Sequence, residues 1–125
     1  MEQKKICLDT DICIGIIKGN KPDRIEELSL QKVFISSVSV FELFLRESKL
    51  TEVENFIEEV EIIDFNEAAA KKASEIFKDL RKKGLIIDHR DIFIAAACIA
   101  NNCSLLTLNK KHFDKIDELN LINLK

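Results

Sequence analysis

The chain has 125 residues, 46% apolar and 33% charged, with one Pro and three Gly. This composition excludes a disordered or linker-rich chain, and the length suits one domain over residues 1–125. The net charge of −3 argues against holding nucleic acid by charge alone, although bound divalent metal can invert the local sign.

No apolar run approaches the roughly 18 residues of a membrane span, and no signal-peptide core follows MEQKK. A cytoplasmic protein with no membrane contact is expected. Cys7, Cys13, Cys98 and Cys103 form no Cys-x-x-Cys pair and lie in or beside apolar segments. Such cysteines behave as small buried hydrophobes. Cys103, at a helix-to-strand junction, is the one expected nearest to solvent.

Ile6, Cys7 and Leu8 form an apolar run too short for a helix and read as a buried strand. Asp9 then stands at its carboxyl tip, where open α/β sheets bind ligands. Ile12 to Lys18 reads as a helix closed by Gly19. Pro22 suits the first turn of a short helix running to about Leu30. Val33 to Ser36 is the second strand. Ser39-x-x-Glu42 and Thr51-x-x-Glu54 have the pattern of capping boxes. Val53, Phe56, Ile57 and Val60 share a helix face.

Glu61 to Phe65 reads as strand three. The helix from Asn66 to Lys83 has Ala69, Ala73, Ile76, Phe77 and Leu80 as its buried stripe, with Gly84 ending it. Asp88 to Asn102 is a helix apolar nearly all round, hence buried or sandwiched. Leu105 to Leu108 is strand four, Lys110 to Asp117 a short helix or turn, and Leu121 to Leu124 a possible last strand. Alternating strands and helices predict a parallel sheet covered on both faces.

Three of the 22 acidic residues stand apart. Asp9 ends a strand, Glu42 lies within Val40-Phe41-Glu42-Leu43-Phe44-Leu45, and Asp91 opens the most apolar helix. A buried carboxylate is costly unless something pairs with it, and a shared divalent cation would satisfy all three. Each also has a plain reading: Asp9 as an N-cap, Glu42 as part of a capping box, and Asp91 as a first-turn acid behind Asp88.

In these stretches the chain resembles the PIN-domain ribonucleases, and specifically the VapC-type toxins of prokaryotic toxin–antitoxin pairs. Leu8-Asp9-Thr10-Asp11 with the helix after it resembles the opening motif. Ile35-Ser36-Ser37-Val38-Ser39-Val40-Phe41-Glu42-Leu43 resembles the second, and Asp91-Ile92-Phe93-Ile94-Ala95-Ala96-Ala97 the third. Leu105-Leu106-Thr107-Leu108-Asn109-Lys110-Lys111-His112-Phe113 resembles the closing motif. Thr51 to Leu85 carries no motif.

The resemblance implies a three-layer α/β/α sandwich with a mainly parallel sheet of four to five strands. It implies Mg²⁺- or Mn²⁺-dependent RNA cleavage, with Asp9, Glu42 and Asp91 as catalytic acids and Asp9 and Asp91 holding the metal. Glu42 would hold or deprotonate the attacking water, leaving a 5′-phosphate and a 3′-hydroxyl. Thr10, Asp11, Ser39 and Asp88 are candidates to orient these groups. Asn109 stands where the family often has a fourth acid, which bears on a second metal ion; Asp114 is nearby but offset. A cognate antitoxin that blocks the site and a toxin homodimer are also implied.

Lys18, Lys110 and Lys111 are candidates to meet flanking phosphates, against a plain reading as solvated surface charges. His89 and His112 could serve a metal-free ribonuclease as acid and base, but that leaves Asp9 and Glu42 without a task. Two further readings start from Asp9-Thr10-Asp11. A haloacid-dehalogenase-like phosphotransfer enzyme needs a cap segment for which the chain is short. A receiver domain needs Thr and Lys on separate strand ends, whereas Thr107 and Lys110 are three apart. A non-catalytic PIN-like interaction domain is the remaining alternative, and the three intact acids argue against it.

Overall fold

The structure is a computed structural model that describes residues 5–20 and 32–122. Strand β1 is Lys5–Leu8, β2 is Lys32–Ser36, β3 is Glu61–Ile63 and β4 is Ser104–Leu106. They form one parallel sheet in the order β3-β2-β1-β4. Helices α1 (Thr10–Ile17), α2 (Ser37–Phe44), α3 (Leu50–Glu59), α4 (Glu67–Lys82), α5 (His89–Ala100) and α6 (Lys110–Phe113) fill the connections. The helix expected from Pro22 to Leu30 lies outside the described residues.

Side chains alternate across a strand with period two, and the core divides accordingly. Ile6, Leu8, Ile35 and Leu106 pack with Ile12 of α1, Leu43 of α2 and Val53 and Phe56 of α3. Cys7, Phe34, Ile63 and Leu105 pack with Ala69, Ala73, Ile76 and Leu80 of α4 and with Ile92 to Cys98 of α5. This is the three-layer sandwich expected. α5 is buried at Ile92 and from Ile94 to Cys98, the centre of its apolar run, while His89, Arg90 and Ala100 are exposed.

Strand order places the site. From β1 the chain moves outward through β2 to β3. It then returns by α4 and α5 to β4 on the other side of β1. The order therefore reverses between β1 and β4, and at such a switch point the loops leaving the carboxyl ends diverge and open a crevice. Asp9 follows β1 at that point, and Thr107 follows β4 beside it.

Several local expectations are corrected. Ser36, not Ser39, caps α2: it is extended and its hydroxyl accepts from Val38 N at 3.0 Å. The helix thus begins before Ser39, and Ser39 and Glu42 lie within it. The Thr51 box does not form either, because α3 starts at Leu50 behind Lys49, which has φ 60° and makes no side-chain cap. β3 and β4 stop at Ile63 and Leu106, short of Phe65 and Leu108. The segment from Lys110 to Asp117 is a short helix to Phe113 followed by turns, as expected. Leu121 makes only an isolated parallel bridge to Leu105, and residues 123–125 lie outside the described residues.

Phe77 is 38% exposed instead of buried, because it sits at the edge of the α4 stripe, where its ring meets His89 at 5.5 Å. Cys103 is only 4% exposed, since the turn after α5 folds it into the core. All four cysteines are free and buried. Gly84, at φ +73°, closes α4: Leu85 N donates to Leu80 O and Gly84 N to Arg81 O, the paired bonds that favour glycine at this position.

Asn66 caps α4, its side chain accepting from Ala69 N at 3.1 Å. Asn66→Ala is expected to cost about 1 kcal/mol, the usual worth of such a cap. Urea denaturation will measure this as a lower midpoint at unchanged slope.

Candidate active site

Asp9 is 5% exposed at the tip of β1. It serves as the N-cap of α1 through Oδ1, which accepts from Thr10 N at 2.8 Å. Its Oδ2 accepts from Thr107 Oγ1 at 2.7 Å, and Thr107 Oγ1 in turn accepts from Asn109 N at 3.0 Å. The plain capping reading is therefore true of one oxygen, and the other is held from across the switch point. Burial pushes the Asp9 carboxyl up to about 6, against these two hydrogen bonds, and the negative charges of Asp91 and Asp11 push it further. Burial removes water that would stabilise the anion; the hydrogen bonds stabilise it only in part.

Glu42 projects from α2, 20% exposed. Thr10 Oγ1 donates to its Oε1 at 2.7 Å. Thr10 has only one hydroxyl proton, so Ser39 Oγ, 2.8 Å away, is the donor to Thr10. The chain Ser39–Thr10–Glu42 thus ties α2 to the start of α1. Ser39 is fully buried and serves this link in place of the cap expected of it.

Asp91 lies in the first turn of α5, 25% exposed. His112 Nδ1 donates to its Oδ2 at 3.2 Å. Burial raises the Asp91 carboxyl above its ordinary value, with Asp88 and Asp11 adding repulsion and the His112 contact opposing the rise. Asp88 is the N-cap of α5, its Oδ1 accepting from Arg90 N at 2.8 Å.

The expected residues are thus gathered with one qualification. Asp9, Thr10, Ser39 and Glu42 join through hydrogen bonds across β1 and α2, while Asp91, Asp88 and Asp11 join through mutual charge. Asn109 is exposed and enters only by its backbone N–H. Lys18, Lys110 and Lys111 are exposed at helix ends. The histidines engage different partners: His89 stacks on Phe93 at 6.2 Å, and His112 holds Asp91.

Sequence reasoning did not assign Thr107 to the site. Its signal is a lone hydroxyl directly after the apolar run of β4. It also offered Arg90 as a partner for Asp91 beside it, which the structure does not bear out. Neighbours in a helix do not face each other, so Arg90 turns away from Asp91. Its Nη1 lies 3.5 Å from Glu42 Oε2 and its Nε 3.6 Å from Asp88 Oδ1.

The donor set fits a hard divalent cation. It consists of carboxylate oxygens, two of them on acids whose ionisation burial opposes and which repel each other. Among the described residues no three His, Cys, Asp or Glu side chains converge to enclose an ion alone. Hard divalent cations take oxygen ligands of this kind and can be held by one or two carboxylates with water completing the shell.

A parallel sheet with acids at the carboxyl ends of its strands, beside a switch point, places the chain in the class of open α/β sandwiches. The chain belongs to the PIN-domain family, whose model, described as PIN domain, matches residues 6–119. It is similar to Ribonuclease VapC1 of Methanocaldococcus jannaschii, 35% identical over 96% of this chain and 87% of that protein. It is also similar to the tRNA(fMet)-specific endonuclease VapC of Shigella flexneri, 31% identical over 92% of this chain and 94% of that one. Among solved structures it matches a chain of DNA-bound VapBC from Salmonella typhimurium. The TM-score is 0.87 and the identity 31%, over 96% of this chain and 98% of that chain. A chain of VapBC2 from Rickettsia felis, bound to a promoter DNA fragment, matches with TM-score 0.83 and 31% identity, over 97% and 99% of the two chains.

Proposed function

We propose that the chain is the endoribonuclease toxin of a toxin–antitoxin pair, a single PIN domain that hydrolyses RNA phosphodiester bonds with Mg²⁺ or Mn²⁺. The observation that carries this reading is the buried, charge-strained Asp9 beside Asp91 at the switch point, with Glu42 linked to it through Thr10. The names of the VapC relatives support it.

In this mechanism Asp9 and Asp91 would hold the cation. Thr107 fixes Asp9 Oδ2 and His112 fixes Asp91 Oδ2, so each acid presents its oxygens from a set direction. Bound there, a divalent cation would supply a more acidic water and offset charge on the scissile phosphate. Glu42, aimed by Thr10, takes the proton of the attacking water. Thr10 Oγ1 keeps its hydrogen on Glu42 because Ser39 supplies its other bond.

The solved VapBC complexes support an antitoxin as partner. A cluster of carboxylates accepts a basic side chain, and Phe41 and Leu45, both 56% exposed and one helical turn apart beside Glu42, offer that antitoxin an apolar landing. A homodimer and a cytoplasmic setting complete the proposal. Among the described residues no helix is long and apolar enough to cross a membrane.

The test is cleavage of RNA by the purified chain, free of antitoxin, with Mg²⁺ or Mn²⁺ and with EDTA. The name of the Shigella flexneri relative makes tRNA the first substrate to try. Cutting is expected to need metal, to leave 5′-phosphates, and to fall by about 100-fold or more in Asp91→Asn, a loss of about 3 kcal/mol. Cutting that survives EDTA and leaves cyclic phosphates would move the chemistry to the histidines.

A further inference from the structure

We propose that Arg90 is the phosphate-contact residue of this site, leaving Glu42 and Asp88 for the oxygens of an RNA phosphate when substrate binds. The inference rests on the ribonuclease reading and names a residue that reading does not use. Arg90 directly precedes Asp91 on α5, and its guanidinium lies against Glu42 from α2. It is therefore a cation beside the acidic cluster, on the element that carries one of the acids.

Its present contacts are loose. Both N···O distances, 3.5 Å to Glu42 and 3.6 Å to Asp88, exceed the 2.7–2.9 Å of a charge-assisted hydrogen bond. The Arg90 side chain is 47% exposed, so water screens both pairs. Each acid also has another partner: Glu42 Oε1 accepts from Thr10, and Asp88 Oδ1 accepts from Arg90 N. Neither is stranded when the guanidinium leaves. A phosphate offers two oxygens at the spacing of the guanidinium fork, which gives shorter, paired bonds than the carboxylates now provide. The exchange also frees Glu42 Oε2 of its cation at the moment substrate arrives.

The test is steady-state cleavage of tRNA in Mg²⁺ by the full chain and by Arg90→Gln and Arg90→Lys, with salt varied from about 50 to about 200 mM. Mn²⁺ affinity is measured in parallel by electron paramagnetic resonance. Arg90→Gln is expected to lower kcat/KM about tenfold, the loss residing in KM, and to make the salt dependence shallower by about one in the log–log slope. Arg90→Lys is expected to recover the slope and only part of the KM, since it restores a charge and not the fork. A parent chain that cuts RNA while Arg90→Gln leaves KM and slope unmoved would overturn the proposal and leave the ribonuclease reading standing. A loss confined to kcat with altered Mn²⁺ affinity would also overturn it, because Arg90 would then act only through Glu42. A parent chain that cuts no RNA would overturn both.

Discussion

Without divalent metal, Asp9→Asn is expected to unfold at a higher temperature than the parent chain at pH 8 and at a lower one at pH 4. The reason is the burial of Asp9, which pushes its carboxyl from the ordinary 3.8 to about 6. An acid whose pKa is raised by folding binds its proton more tightly in the folded chain. Its stabilising contribution is complete below about 4 and is lost as pH rises through about 6. At pH 8 the folded chain carries a penalty of about 3 kcal/mol for holding the anion. Asparagine escapes that penalty but cannot accept both existing hydrogen bonds, from Thr10 N and Thr107 Oγ1, which costs about 1 kcal/mol.

The net expectation for Asp9→Asn is a gain of about 2 kcal/mol at pH 8 and a loss of about 1 kcal/mol at pH 4. At pH 8 this raises the melting temperature by about 5–10 °C. Calorimetry in EDTA at the two pH values measures the sign change; a loss at both would show that Asp9 ionises freely in the folded chain. Added Mg²⁺ is expected to raise the melting temperature of the parent and much less that of the variant, because a ligand stabilises only the state that binds it. A more stable but inactive variant would identify Asp9 as a carboxylate kept for function at a cost to the fold.

Thr107→Val is the second large expectation. Valine keeps the shape and removes both hydrogen bonds of a residue only 4% exposed. Asn109 N–H loses its acceptor, and Asp9 Oδ2 loses the donor that most opposes the effect of burial. Stability is expected to fall by about 1–3 kcal/mol. Protons then compete better with metal for Asp9, so the pH needed for half-maximal Mn²⁺ binding rises, and RNA cleavage falls about 10–100-fold. Thr107→Ser keeps the hydroxyl and is expected to recover the metal-binding pH profile. A loss of stability with an unmoved profile would mean that Thr107 only secures the loop after β4.

What could be read from the chain itself follows from local periodicity. The β1 run ending at Asp9, the apolar α5 and the stripe of α4 are patterns written within a few residues of one another. They suffice for the element order and the three layers, and with the motif resemblance they single out Asp9, Glu42 and Asp91 as candidate acids. The capping boxes misled because Ser-x-x-Glu is equally satisfied inside a helix, where Ser39 and Glu42 share a face and meet Thr10.

Tertiary structure decided which group holds which carboxylate. Thr107 reaches Asp9 across 98 positions of sequence, Arg90 reaches Glu42 and not its neighbour Asp91, and His112 reaches Asp91 from α6. A hydrogen bond depends on tenths of an ångström. Those distances are set by the β3-β2-β1-β4 strand order and by the packing of α2 and α5 against the sheet, neither of which any short stretch of sequence contains.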